Sequence, residues 1–333
     1  MEEILPHLYR VVVPLPRNPL KEVNSYIITS SERNLIIDTG MNRPECQEVL
    51  EAGLENIGID LEKTDIIATH YHADHQGLVA TFLKGGCRAY MGEKDAAAMN
   101  QKSTTHARKM PMGDYAALSG FPEEELLWAQ QNHPGFKYGP QSSVDYIGVK
   151  EGKIFRVGSY TLSVMDTPGH TEGHICLYEP DKKIFFSGDH VLGDITPNIQ
   201  AWADNYDPLD LYIASLKKVY HLDVAMCYPA HRSFIPDLKK RVSELMEHHR
   251  LRANEVIAIL EEKPLNAYQT ASRMTWDIVA KSWDDFPVMQ KWFATGEAIA
   301  HLRYLENKDY IRREMVDGKI FYAKIAGKTL TSV

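Results

Sequence analysis

The sequence predicts a layered α/β fold followed by a smaller helical tail. Short apolar runs, parted by turns of Gly, Pro and Asp, fill residues 1–235 in the manner of β-strands. Helical patterns interleave with them, at a spacing too irregular for a simple doubly wound sheet. From Asp237 the pattern turns helical almost to the end. A chain of 333 residues also exceeds the usual size of one core. We therefore expect one domain over 1–236, with a helical insertion at about 95–150, and a second over 237–333.

The expected strands are Leu8–Val13, Ser25–Thr29, Asn34–Asp38, Ile66–Thr69, Ala89–Met91, Tyr160–Asp166, Ile175–Tyr178, Ile184–Ser187 and Ala225–Tyr228. Pro44–Asn56, Gly77–Leu83 and Leu209–Val219 read as helices between them. The insertion is rich in Met, Leu and aromatic residues interrupted by Gly and Pro, and reads as a lid, a homodimer contact or, equally, extra core packing. In the tail, Leu238–Glu262 is a long amphipathic run, Tyr268–Thr275 a second helix, and Phe286–Glu306 a third that breaks near Gly296. The stretch YIRREMVDGKIFYAKI reads as a hairpin about Asp317-Gly318. Three helices and a hairpin make a winged-helix-like domain.

Composition narrows the function. Hydrophobic residues at 44% and charged residues at 25% are globular proportions, which excludes disordered and collagen-like chains. No run approaches the ~18 apolar residues of a membrane span, so no membrane partner is expected. The acidic start, MEEILPHLYR, lacks the basic and apolar regions of a signal peptide. Cys46, Cys87, Cys176 and Cys227 form no CxxC pair, which fits a reducing cytoplasm. The net charge is −8, but residues 238–333 carry 16 basic against 13 acidic side chains. A local +3 is a faint footprint for nucleic acid.

The histidines point to chemistry. Thr69-His70-Tyr71-His72-Ala73-Asp74-His75 follows an apolar strand. Three imidazoles and a carboxylate within six residues suit neither a helix face nor a core, but they suit a turn converging on a cation. Donors of N and O without thiolate favour zinc, manganese or iron. Further candidates end later strands: His170 and His174 in TPGHTEGH, Asp189 and His190 in SGDH, and His231 in YPAH. We find no GxSxG, P-loop or GxGxxG, which weakens acyl-serine, NTPase and dinucleotide readings.

This ordered set resembles the metallo-β-lactamase superfamily. HxHxDH at His70–His75, TPGHTxGH at His170, SGD at Asp189 and the late His231 follow an IIDTG strand end at Asp38-Thr39-Gly40. The resemblance covers about residues 5–235 and implies an αββα sandwich with two divalent metal ions, zinc first and iron or manganese as alternatives. It implies one ion held by His70, His72 and His170 and another by Asp74, His75 and His231. Asp189 would bridge them. Asp38 would orient a ligand or its loop, and His174 and His190 would support ligands from behind. The implied chemistry is hydrolysis by a water that the two ions activate, with Asp74 orienting it. One departure is Arg232, where many members carry glycine after the histidine.

The long tail is most similar to the β-lactamase-like protein 2 branch, whose members include single-strand endoribonucleases and carrier-protein thioesterases. Two enzymatic readings follow. One is hydrolysis of a small ester, thioester or lactone. The other is RNA cleavage, with Arg303, Lys308, Arg312, Arg313 and Lys319 guiding the strand. A partner-binding role with a vestigial site is a third, which the complete ligand set opposes. His106 and His133 read first as surface or packing residues, with reach to a substrate as the alternative, and Trp202 and Tyr206 read equally as pocket lining or core packing.

Overall fold

The computed structural model describes all residues except 105–111, 329 and 331–333, so His106 lies outside the described residues. The chain forms two compact units. One comprises Met1–Arg108, Pro134–Pro197 and Lys217–Arg241, the other Lys109–His133, Asn198–Leu216 and Val242–Val333. The second unit thus draws segments from both sides of residue 236. The insertion is divided between the units.

In the first unit, β1 (Glu2–Leu5), β2 (Leu8–Pro14), β3 (Glu22–Ile28), β4 (Asn34–Ile37), β5 (Thr64–Ile67), β6 (Ala89–Gly92) and β7 (Tyr146–Val149) form one sheet in that order. Pairing is antiparallel up to β4 and parallel from β4 to β7. Parallel neighbours need crossovers. These contain α1 (Pro44–Asn56), α2 (Ala73–Gln76), α3 (Val79–Phe82) and α4 (Glu93–Thr104). The last crossover also contains α5 (Met112–Leu118), α6 (Glu123–Asn132) and α7 (Pro134–Lys137). A second sheet holds β8 (Ile154–Val157), β9 (Tyr160–Asp166), β10 (Ile175–Glu179), β11 (Ile184–Gly188) and β12 (Met226–Pro229), in the order 12-11-10-9-8. Only β11 and β12 run parallel.

Alternation explains why the first sheet is buried on both faces. Tyr26, Ile28, Leu35, Ile37 and Ile67 face the second sheet and pack with Tyr160, Leu162, Val164, Leu177 and Phe186. The intervening Ile27, Ile36 and Ile66 face the other way, onto Cys46, Leu50 and Leu54 of α1 and Val79 and Phe82 of α3. β1, β7 and β8 were not expected from the sequence. Each is a four-residue sheet edge with at most two buried positions, so the apolar signal is weak there.

The remaining helices are α8 (Pro208–Tyr220), α9 (Leu238–Ile259), α10 (Ala267–Ala271) and α11 (Val288–Asn307). In the second unit, Trp202 stacks on Trp292 with ring centres 4.0 Å apart, and Phe121 meets Trp292 edge-on. Trp202 is therefore part of this unit's packing. His133 meets Phe293 of α11 edge-on in the same unit. α11 runs unbroken through Gly296, contrary to the expected break. A Cβ there would sit 2.9 Å from Gln200 Cβ and 3.0 Å from Trp202 Cε2, so glycine serves close packing. β13 (Ile311–Val316) and β14 (Lys319–Lys324) form the hairpin. Asp317 and Gly318 both have positive φ, as a type I′ turn requires.

His249 and His301 are fully buried in this unit, their Nδ1 and Nε2 atoms 3.2 Å apart. His301 Nδ1–H donates to the Glu297 carbonyl, so its Nε2 accepts from His249. Burial pushes His301 down to about 3; burial, His301, His248 and Arg252 hold His249 well below the usual histidine value. Both stay neutral when folded, whereas unfolding frees them to protonate below ~6.5. Stability should be complete above that pH and fall towards pH 3, by up to ~1.4 kcal/mol per pH unit and histidine. All five tryptophans belong to this unit, so urea unfolding followed by their fluorescence measures the slope. His301→Gln should flatten it, and an unchanged slope would contradict the assignment.

Candidate metal centre

The chemistry-bearing residues leave the strands at one edge of the sandwich. Asp38 follows β4, and Thr69 to His75 follow β5. Thr167 to His174 form the β9–β10 connection, Asp189 follows β11, and His231 lies two residues past β12. Loops beyond the carboxyl ends of parallel strands are where α/β sheets place their sites.

Among the described residues three overlapping three-residue groups result, two of which share no residue. His70, His72 and His170 bring their ring nitrogens together, with His72 Nδ1 2.9 Å from Nε2 of both others. Asp74, His75 and His231 form the second group. Asp74 Oδ1 lies 3.8 Å from His75 Nε2, and Asp74 Oδ2 lies 3.6 Å from His231 Nε2. The third group, His70, His75 and Asp189, spans these two, and Asp189 turns one oxygen to each of them. Its Oδ1 lies 3.3 Å from His231 Nε2 and 3.6 Å from His75 Nε2, and its Oδ2 lies 3.5 Å from His170 Nε2.

The far side of each ring is fixed. His75 Nδ1–H donates to Asp38 Oδ2 at 2.8 Å, and His231 Nδ1–H donates to the Glu22 carbonyl at 2.6 Å. With Nδ1–H so engaged, each ring turns its Nε2 inward, the atom that ligates once it gives up its proton. Asp38, itself buried and at φ 60°, also accepts the Thr69 backbone N–H at 2.8 Å and the Thr69 hydroxyl at 2.9 Å. His174 accepts the Asp189 backbone N–H at 3.1 Å and donates from Nδ1 to Thr167 Oγ1 at 2.8 Å. It thus holds Asp189 by its main chain. His190 has its ring centre 6.2 Å from that of His174 and belongs to none of the three groups.

These donors fit a cation. His75 Nε2, His231 Nε2 and Asp189 Oδ1 are buried without a hydrogen-bond partner, which ordinarily costs ~1–3 kcal/mol each. Ligands at ~2.0–2.2 Å from one tetrahedral ion stand about 3.3–3.6 Å apart, close to the 3.3–3.6 Å spacings of Asp189 to His75 and His231 and of His231 to Asp74, whereas His72 stands nearer to His70 and His170, at 2.9 Å. Burial, with His75, His72 and His170 beside it, holds His70 well below the usual histidine value, neutral and ready to ligate. Burial alone would lower His75 too, yet Asp38, Asp189 and Asp74 outweigh it and raise His75 well above that value. Burial would raise Asp189, but His231 and His75 hold it well below the usual carboxylate range.

Sequence patterns miss most of the groups that hold the ligands from behind. The Glu22 carbonyl is a backbone group with no side-chain signal. Thr69 and Thr167 act through hydroxyls that any turn threonine carries. Of the cations offered for RNA, Arg303 is buried, Arg303 and Arg313 pair with Asp204, and Lys308 pairs with Asp210 at 2.8 Å.

An edge of a two-sheet sandwich carrying adjacent His/Asp groups is a site that could hold metal ions. Residues 19–231 match the family model described as metallo-beta-lactamase superfamily, and 253–325 match its C-terminal domain model. The chain belongs to the metallo-β-lactamase superfamily and is a hydrolase of that fold. It is 26% identical to an "Atrochrysone carboxyl ACP thioesterase" of Emericella nidulans, over 78% of this chain and 67% of that protein. It is 25% identical to "Lactamase-like protein ptaB" of Pestalotiopsis fici, over 77% and 66%. Among solved structures, a metallo-beta-lactamase family protein from Thermus thermophilus superposes with TM-score 0.81 at 26% identity, covering 97% of this chain and 100% of that one. A beta-lactamase domain protein from Burkholderia ambifaria, at 24% identity and TM-score 0.82, shares the fold over 97% and 94%.

Because His75 sits above the usual histidine range, cation binding should displace its proton. Calorimetric zinc titration at pH 7, in two buffers of different ionisation heat, should show proton release. Uptake should weaken as pH falls. Uptake without proton release would contradict the electrostatics described.

Proposed function

We propose that the chain hydrolyses acyl thioesters, or closely related small esters and lactones, at a centre of two divalent ions. The observation that carries this reading is Asp189, whose two oxygens turn to two different three-residue ligand groups. His70, His72 and His170 would hold one ion, Asp74, His75 and His231 the other, and Asp189 would touch both. The all-N/O donor set suits zinc, with iron or manganese as alternatives. When bound, such ions polarise a carbonyl and bring the pKa of a water towards ~7.

The chain's own residues supply orientation and proton handling. Asp74 has the carboxylate to align the attacking water and accept its proton. Asp38 and the Glu22 carbonyl keep His75 and His231 in their inward tautomers, and His174 keeps Asp189 in place. The new C–O bond forms as the C–S bond breaks. A thiolate of pKa ~8.5 then departs without needing a strong general acid.

Several relatives at 24–26% identity are named thioesterases, which supports the substrate class. The engagement of Arg303, Lys308 and Arg313 in ion pairs favours this reading over RNA cleavage. The order of three helices and a hairpin over 238–324 supports a winged-helix-like tail beyond a hydrolase domain at 1–236. Four free thiols fit a cytoplasmic setting.

Metal-quantified protein should turn over acyl-thioesters and lactones, lose that activity to chelator, and leave short single-stranded RNA intact. Asp189→Asn should lower kcat/KM by at least about 100-fold, the scale of a lost electrostatic stabiliser. Cleavage of RNA alone, or full activity in that variant, would sink the proposal.

A further inference from the structure

Beyond the residues that face the site, one buried carboxylate joins the two loops that supply the first ligand group. Asp95 lies in the first turn of α4 and is only 2% exposed. Its Oδ2 accepts the Tyr71 backbone N–H at 3.1 Å and the Thr171 hydroxyl at 2.7 Å. Its Oδ1 accepts the Gly173 backbone N–H at 2.7 Å. Tyr71 stands between His70 and His72, and Thr171 directly follows His170. One side chain therefore ties the backbone between His70 and His72 to the Thr171 hydroxyl and the Gly173 backbone of the His170 loop.

The junction is built for this contact. A Cβ on Gly173 would lie 2.3 Å from the Asp95 nitrogen and 2.7 Å from its Oδ1. A Cβ on Gly92, at the end of β6, would lie 2.0 Å from the Gly173 carbonyl oxygen. Both positions need glycine so that α4 can approach the His170 loop. Two of the three bonds of Asp95 run to the His170 loop and the third to the N–H between His70 and His72, in the turn that goes on to Asp74 and His75, whereas the rings of His75 and His231 are oriented by Asp38 and the Glu22 carbonyl.

We propose that Asp95 is a positioning residue that sets the affinity of the His70/His72/His170 group for its ion, independently of the Asp74/His75/His231 group. This rests on the two-ion reading above. Three donors converging on one carboxylate are well matched only by the anion, which has acceptor lone pairs and no hydrogen. Asparagine keeps the shape but turns an NH2 towards either the Gly173 N–H or the Tyr71 N–H. One loop then loses its anchor, and its ligands are less well placed before the ion arrives.

The test is a double-mutant cycle in metal affinity, read by competition of cobalt(II) with a chromophoric chelator. His231→Ala leaves the first group intact, and His72→Ala leaves the second. In the His231→Ala background, Asp95→Asn should weaken binding of the remaining ion about 10- to 100-fold, as lost support behind a ligand does. In the His72→Ala background it should change binding by less than about 3-fold, as independent sites do. Equal weakening in both backgrounds would make Asp95 a general structural residue, and no weakening in either would make it irrelevant. Both outcomes overturn the proposal. Should Asp95→Asn lose its circular-dichroism signature of folding, Thr171→Val removes one of the three bonds and carries the same comparison, with a smaller shift expected in the first background alone. Failure of the unsubstituted protein to take two ions would instead overturn the two-ion reading.

Discussion

Burying several imidazoles and carboxylates side by side is unfavourable unless each is held in one protonation state and one direction. That constraint organises the edge of the sandwich. Asp38 is the pivot. Its carboxylate receives the backbone and hydroxyl of Thr69 on one side and Nδ1–H of His75 on the other. It thereby fixes both the start of the histidine turn and the tautomer of a residue near its end. The Ser25 hydroxyl in turn donates to the Asp38 carbonyl, which ties this corner to β3.

The same device recurs around the centre with different parts. A backbone carbonyl orients His231, a threonine and a histidine support Asp189, and a buried aspartate ties the turns bearing His70, His72 and His170. These inward donors have partners behind them in different strands or loops. The two sheets must therefore be assembled before the donors can converge. Rigidity of this kind leaves a site little to reorganise when a cation or substrate enters.

Much of this is legible in the chain. Apolar runs locate nine of the twelve sandwich strands, and the ordered HxHxDH, TPGHTxGH, SGD and late-histidine motifs name residues that the structure brings together. The missing strands are short edges, which bury too little to leave a periodic signal. The break expected at Gly296 fails because a glycine inside a helix can answer to a neighbour's bulk as well as to backbone freedom. The insertion reads as one helical segment because composition cannot say which core a helix joins.

Donor types, their order and the α/β alternation are all present in the linear chain, since they follow from side-chain chemistry and local periodicity. The grouping of the donors is a property of the folded molecule. Which nitrogen of His231 faces inward, and that Asp95 reaches across to Tyr71, Thr171 and Gly173, depend on contacts between residues 24 to 209 positions apart. The division of the Asp189 oxygens between the two groups likewise needs loops from several strands in place. Such contacts form when the strands pack, and no local pattern encodes them.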